Sequence, residues 1–413
     1  AVVLDSETIP NDVVFVMIGR EAPLDFFRRS RIPIRGEWTA RTWAGFIAFF
    51  VFCVFLYNWK SGGGLNHWFQ EHRLFPYNLA AAGPLREPGF YYSLAYCLCV
   101  VIFGIGRIRR RRTPYVTAQT LTLMAVQVVP LFLLPYFILP AMGNAGWFEN
   151  GVGKIIGDNL FPHGEYWRSF GLILAWPLFI WNFFTAQPLW WWLIIGCLQT
   201  FVIIPLIVYR WGKGAYCGWV CSCGALAETL GDRHRQKMPH GPLWNRLNLT
   251  GQLILAFAFA LFALRILGWN WPGSWADRLF QAGQAFYYHW VDIFLAGIVG
   301  VGMYFWFSGR VWCRFACPLA ALMHIYARFS KFRIFPEKSK CISCNVCTSV
   351  CHQGIDIMNF ANKGLPMQDP ECVRCSACVQ ECPTGTLAFG RYDGAAIKLD
   401  RLPASPVRMR EGK

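Results

Sequence analysis

The sequence predicts an α-helical integral membrane bundle of about six spans, followed by a small cysteine-rich domain of mixed α and β structure. Three observations lead there. Of the 413 residues, 55% are hydrophobic and only 15% charged, whereas a soluble domain carries about a quarter charged residues. Apolar runs such as 42–57 and 249–264 have the length of membrane-span candidates. Eight of the 17 cysteines fall in two regular runs beyond residue 340. Disordered chains, fibrous chains and ordinary soluble enzymes are thereby set aside.

Apolar stretches lie near 42–58, 90–106, 117–142, 166–184, 188–209, 248–268 and 287–307. Segments 107–112, 210–246 and 310–340 hold five, six and seven Lys/Arg against none, two and one acid, so nearly all of the +16 net charge sits there. Each abuts an apolar run. The positive-inside rule places such segments in the cytoplasm, and this pattern argues against nucleic acid as a partner. An even number of crossings must separate 107–112 from 210–246, yet three stretches lie between them. The weakest is 166–184, which contains Arg168, Pro177 and Asn182 and reads as a re-entrant or surface segment. The alternative is that 117–142, broken by Pro130, Pro135 and Pro140, fails to cross. Six spans in the lipid of a bacterial inner membrane, with both termini cytoplasmic, is the resulting expectation.

Four domains are expected: an N-terminal cytoplasmic segment at 1–37, the membrane domain at 38–333, the cysteine-dense domain at 334–390 and a tail at 391–413. Within the first, Val13–Gly19 reads as a strand and Pro23–Ser30 as a helix start. Cys313–Ser330 reads as an amphipathic helix along the cytoplasmic face.

The main chemical signal is Cys341-x-x-Cys344-x-x-Cys347-x-x-x-Cys351, followed by Cys372-x-x-Cys375-x-x-Cys378-x-x-x-Cys382-Pro383. Two such runs are the bacterial two-[4Fe–4S] ferredoxin pattern, in which the fourth cysteine of each run ligates the other cluster. Cys341, Cys344, Cys347 and Cys382 are therefore assigned to one cluster, and Cys372, Cys375, Cys378 and Cys351 to the second, with iron as the metal. Zinc ribbons use paired C-x-x-C knuckles instead. His352 stands where such runs usually have proline. Lys338, Lys340 and Arg374 are positive charges that would raise the cluster potentials.

A second signal is the pair Cys217-Gly-Trp-Val-Cys221 and Cys313-Arg-Phe-Ala-Cys317-Pro318, each just after a span. The i, i+4 spacing puts both thiols of a pair on one helical face. Cys217, Cys221, Cys313 and Cys317, with Cys223 nearby, are candidates for a redox-active thiol site or a further metal or cluster. Small buried residues packing helix ends are the competing reading. Thiols on the reducing side of a membrane are not a disulfide framework.

With these motifs, the region from about residue 40 to 390 resembles the membrane polyferredoxins of the NosR, NapH and cytochrome-oxidase-assembly type. These join two C-x-x-x-C-P motifs at span ends to a two-cluster ferredoxin. Ser222 departs from the expected proline, and Cys223 is an additional thiol. The stretch IPNDVVFVMIGREAPLDFF resembles the end of thioredoxin-reductase-like flavoproteins. It lacks the glycine-rich dinucleotide fingerprint, so this chain alone has no FAD site.

The resemblance implies an electron-transfer subunit rather than a complete enzyme. Electrons would pass between a cytoplasmic donor, such as an NAD(P)H flavoprotein, and quinone or an outer-side partner such as a cytochrome. An assembly factor for a copper or haem oxidase is the alternative that Cys223 favours, because soft thiolates select Cu(I). A third reading is an electron-wiring subunit of a larger respiratory or photosynthetic complex. Cys53, Cys97, Cys99 and Cys197 read as apolar fillers. Arg265 and Asp292 are expected to pair with each other, or to line a quinone headgroup and proton path. His289, beside Tyr287, Tyr288 and Trp290, belongs to an interfacial belt.

Overall fold

A computed structural model describes residues 2–4, 7–9, 24–32, 34, 36–80, 83–393 and 396–400. The expected strand at 13–19 lies outside them. The described part of the N-terminal unit, which ends at Ala44, contains a short hairpin of Val2–Leu4 and Glu7–Ile9 and the helix Leu24–Arg29. Arg28 of that helix pairs with Asp25 at 3.0 Å and Glu37 at 2.6 Å.

Among the described residues, six helices are long and apolar enough to cross a membrane: Ala40–Lys60, Pro88–Arg111, Pro114–Asn144, Trp190–Trp211, Pro242–Asn270 and Trp275–Gly302. Their ends follow local chemistry. Pro88 and Pro114 sit at helix starts, where a missing N–H costs nothing. The Thr113 hydroxyl caps the third span by accepting from the Val116 N–H at 3.4 Å. Pro130 and Pro135 remove backbone donors inside that span, and Val129–Ile138 widens into a π-helix without ending it. Thus 117–142 lies within one continuous helix long and apolar enough to cross.

Segment 166–184 does not form a spanning helix. It is a short 3-10 turn, Tyr166–Leu172, followed by irregular chain. Irregular backbone survives at membrane depth only when protein groups satisfy it, and here side chains do so. Gln199 donates to Leu172 O at 3.0 Å, Thr200 donates to Trp176 O at 3.0 Å, and Ala175 N–H donates to the Tyr216 hydroxyl at 3.1 Å. Asn182 and Arg168 hold its two ends together, with Asn182 Nδ2 donating to Arg168 O at 3.0 Å.

Beyond the spans, Phe332–Pro336, Leu387–Asp393 and Ala396–Asp400 form a three-stranded antiparallel sheet. The C-terminal domain thus begins before residue 334, and its sheet extends to Asp400. Residues 391–393 and 396–400, expected as tail, are strand, because Phe389↔Asp400 pairing continues the sheet. Residues 401–413 lie outside the description.

The expected amphipathic helix at 313–330 is corrected in two ways. It is broken into Val311–Phe315 and Pro318–Ala327, because Pro318 cannot continue a helix. Moreover, the second helix is buried on most sides, with Leu319, Ala320 and Met323 at 2% exposure or less. Arg265 also differs from expectation. Its guanidinium pairs with Asp277 at 3.0 Å and donates to Thr185 O and Ala186 O, since the tight turn into the sixth span brings Asp277 alongside. Asp292 lies deeper and faces Lys60 and Trp181. His289 is exposed and bonded through Nδ1 to Ala285 O at 2.8 Å.

Candidate redox centre

The two cysteine runs fold as near copies. Between Cys341 and Val346 the chain turns through left-handed residues at Ser343 (φ 54°) and Asn345 (φ 61°). Between Cys372 and Ala377 it does so at Arg374 (φ 57°) and Ser376 (φ 64°). Alternating right- and left-handed residues point successive N–H groups into one concavity, a nest suited to anions and iron–sulfur sites. Each nest opens a four-residue helix, Val346–Ser349 or Ala377–Gln380. Cys341, Cys344, Cys347 and Cys382 line one enclosed space, while Cys351, Cys372, Cys375 and Cys378 line another. The crossing of the fourth cysteine follows from the fold: Cys351 and Cys382 lie beyond the helices, on the side of the opposite nest. The first space is the more open, with Cys344 exposed and Cys341 half-buried, whereas Cys378 and Cys351 are buried.

The two C-x-x-x-C motifs converge in the core of the larger unit, where Cys217, Cys221, Cys313 and Cys317 are all at most 6% exposed. They do not lie as pairs on helical faces. Cys217 ends the helix Gly214–Cys217, and Cys221 is the extended residue that begins Ser222–Thr229. Likewise Cys313 lies in Val311–Phe315, and Cys317 begins Pro318–Ala327, its sulfur accepting from Ala320 N–H at 3.4 Å. The spacing thus marks a helix–turn–helix start, twice. Cys223 adds a fifth thiol, hydrogen-bonded to both Cys221 and Cys313.

That bond, together with the Arg310 guanidinium and against burial, holds the Cys313 thiol down at about 6. Arg310 Nη1 lies 3.9 Å from its sulfur. Burial pushes Cys217 and Cys317 up. Buried thiols flanked by the Arg310 and Lys213 cations suit metal binding, which takes thiolates.

Among the described residues, Glu228, His352 and Cys375 bring possible ligand atoms within 4.8 Å of one another. The Glu228 trio is a packing contact, because three guanidiniums already occupy the carboxylate. Arg107 donates at 2.9 Å, Arg310 at 2.7 Å, and Arg235 also pairs with it.

This buried charge cluster, which the sequence reading missed, joins the two regions. Burial alone would push Glu228 up, but the guanidiniums of Arg235, Arg107 and Arg310 hold it well below the carboxylate range. Arg310 extends from Glu228 to Cys313. On the other side Arg235 meets His352, the residue in the usual proline position, at 3.1 Å. His352 is 1% exposed, so its ring fastens the cysteine domain to the membrane domain. Gly214 allows a closer contact still: a Cβ there would collide with the Val373 carbonyl. The Cys217 helix therefore abuts the Cys372–Cys375 loop backbone to backbone. Lys213, 1% exposed, pairs there with Glu371, which also binds His324 at 2.6 Å.

Two family models match the chain. A 4Fe-4S dicluster domain covers residues 333–383, and a 4Fe-4S binding domain covers 189–239 and 289–336. Each of the latter stretches contains one C-x-x-x-C motif. Among curated proteins, the chain is similar to YccM of Escherichia coli strain K12, with 26% identity covering 49% of the chain and 57% of the relative. It is 26% identical to the regulatory protein NosR of Pseudomonas aeruginosa, covering 50% of the chain and 27% of the relative. The methylamine utilization ferredoxin-type protein MauN of Methylobacillus flagellatus is 25% identical over 46% of the chain and 66% of the relative. The chain spans about half the length of YccM and about a quarter of NosR. No solved structure matches.

Proposed function

We propose that this chain, a multi-pass membrane 4Fe-4S electron-transport protein of the polyferredoxin type, holds three iron–sulfur centres in a row. They would run from an exposed site for a soluble donor to the membrane interior. A bound [4Fe–4S] cluster supplies one-electron redox chemistry; the chain's own residues supply position and surroundings. Cys341, Cys344, Cys347 and Cys382 would hold the first cluster, at the more open end. Cys351, Cys372, Cys375 and Cys378 would hold the second, against the membrane domain. Cys217, Cys221, Cys313 and Cys317 would hold the third.

The observation carrying this reading is the order of the sites. Gly214 sets the third quartet directly against the loop of the second, and the Arg310–Glu228–Arg235–His352 chain spans the same gap. The 4Fe-4S binding-domain match over both C-x-x-x-C stretches supports the third site independently. Lys213 and Arg310 offset the thiolate charge there and would raise its potential relative to a site without buried cations.

The basic segments on the ferredoxin side favour a cytoplasmic position for that domain and for both termini, in a bacterial inner membrane. The donor would then be a cytoplasmic flavoprotein and the acceptor a quinone or an outer-side redox protein, or the reverse. Anaerobic purification followed by metal and acid-labile sulfide analysis tests the count. About twelve irons per chain are expected, four per quartet. About eight irons with copper in place of the rest would overturn the third centre in favour of a copper-handling site.

A further inference from the structure

A cavity of about 890 Å³ opens between the start of the fifth span, the end of the helix Pro318–Ala327, and residues 353–360 and 369–371 of the C-terminal domain. Its two sides carry opposite charge. On the membrane-domain side it is lined by Arg246 and Arg328, exposed residues from two of the basic segments. Neither guanidinium has a hydrogen-bond or ion-pair partner among the described residues. On the C-terminal-domain side stand Asp356, Asp369 and Glu371. Glu371 is already matched by Lys213 and His324. Asp356 accepts from the Asn359 N–H and the Thr348 hydroxyl, both at 3.2 Å, and Asp369 accepts from the Glu371 N–H at 2.8 Å. Neither of these two carboxylates forms a salt bridge with a described residue. The apolar part of the lining is Leu249 and Ile325, 62% and 40% exposed. Leu253, 64% exposed, follows Leu249 by one turn on the same face of the fifth span. Exposed leucines on a spanning helix face lipid tails, which are as apolar as they are, so the cavity is continuous with a lipid-facing strip.

We propose that this cavity seats the headgroup of a glycerophospholipid bearing a primary ammonium. The phosphate lies between Arg246 and Arg328, the ammonium meets Asp356 and Asp369, and an acyl chain follows Leu249 and Leu253. Basic pockets at the cytoplasmic ends of spans suit lipid phosphates, and guanidinium–phosphate hydrogen bonds are among the strong ones. The carboxylates set the headgroup type. A glycerol headgroup would satisfy the arginines and leave both acids without a cation, and a choline headgroup has no N–H to donate. Bound there, the lipid bridges the fifth span and the cysteine domain, fastening that domain to the membrane. The proposal goes beyond the electron-transport reading and does not depend on it, because it stands on the charge and lining of this cavity.

The test is native mass spectrometry of the detergent-solubilised, iron-loaded full chain titrated with dioctanoyl phosphatidylethanolamine, phosphatidylglycerol and phosphatidylcholine. Saturable retention of a single phosphatidylethanolamine is expected, about tenfold tighter than either of the other two. Arg328→Ala should weaken all three by about tenfold, since it removes a charge-assisted contact to the phosphate they share. Asp356→Asn keeps an oxygen for the Asn359 N–H and should weaken phosphatidylethanolamine alone, to the level of phosphatidylcholine. Both substituted positions are exposed, so iron content should stay as in the unsubstituted protein. Equal retention of the three lipids, with no effect of either substitution, would overturn the site. Competition by soluble glycerophosphoethanolamine as strong as that of the lipid would also overturn it, by making the ligand a free phosphate ester.

Discussion

The cysteines serve two regions built by opposite means. In the C-terminal domain, three of each four gathered cysteines come from one short loop, whose left-handed residues turn the chain around the site. In the core of the larger unit, each motif supplies two thiols from the end and the start of consecutive helices, and the quartet exists only when residues 217–221 and 313–317 meet. The first kind of site is local and partly open. The second is nonlocal, buried and flanked by Arg310 and Lys213. A site assembled from distant helix ends depends on the whole bundle, whereas a nest depends on its own loop.

That contrast can be broken most severely by removing one thiol of each kind. Cys378→Ser should lose about four irons and loosen the small domain, whose core contains Cys378. Cys217→Ser should lose a similar amount of iron while the two ferredoxin signals persist; equal damage to all signals would show that the sites are not separable. Metal analysis with absorption spectra checks both.

Next in size is Glu228→Gln, which leaves the guanidiniums of Arg107, Arg235 and Arg310 without their shared carboxylate. Breaking a buried ion network in this way costs about 3–5 kcal/mol. The expected readout is a lower thermal midpoint together with proteolytic release of the C-terminal domain. Gly214→Val should act on the interface alone. Its side chain would meet the Val373 carbonyl, so electron passage between the second and third centres should slow while both retain iron, as single-turnover spectroscopy would reveal.

A milder effect follows from pH. Burial would raise Asp232, but Arg235, Arg111 and Arg107 overcome it and hold the carboxylate well below its ordinary value. A depressed carboxylate stabilises the fold above its unfolded pKa of about 4 and loses that contribution as pH falls through the folded value. The thermal midpoint should therefore be nearly flat from pH 7 to 5 and fall below about pH 4. The smallest effect belongs to the exposed pair Lys340–Glu337, where Lys340→Ala should change stability by less than about 1 kcal/mol.

The same contrast explains what could be read from the sequence. The C-x-x-C runs were legible because their cysteines are local and their spacing fixes the loop. The six candidate spans were legible from apolar length, and Pro177 with Asn182 marked the segment that forms no spanning helix. The convergence of the C-x-x-x-C motifs was legible as a repeat, but their helical-face geometry was not. Pro318 carried the missing signal, since a proline directly after Cys317 marks a new helix start. Arg265 was assigned Asp292 because both are intramembrane charges, yet its Asp277 partner depends on a turn that no periodicity reveals. Glu228, Arg235 and Arg310 looked like parts of basic surface loops, and only tertiary packing turns them into a buried link.

Redox-poised electron paramagnetic resonance on the anaerobic protein, compared with Cys317→Ser, tests the arrangement most directly. The account predicts three one-electron centres in the intact chain, with the variant losing one and keeping the other two at unchanged potentials. Two centres in both proteins, with no signal altered by Cys317→Ser, would contradict it.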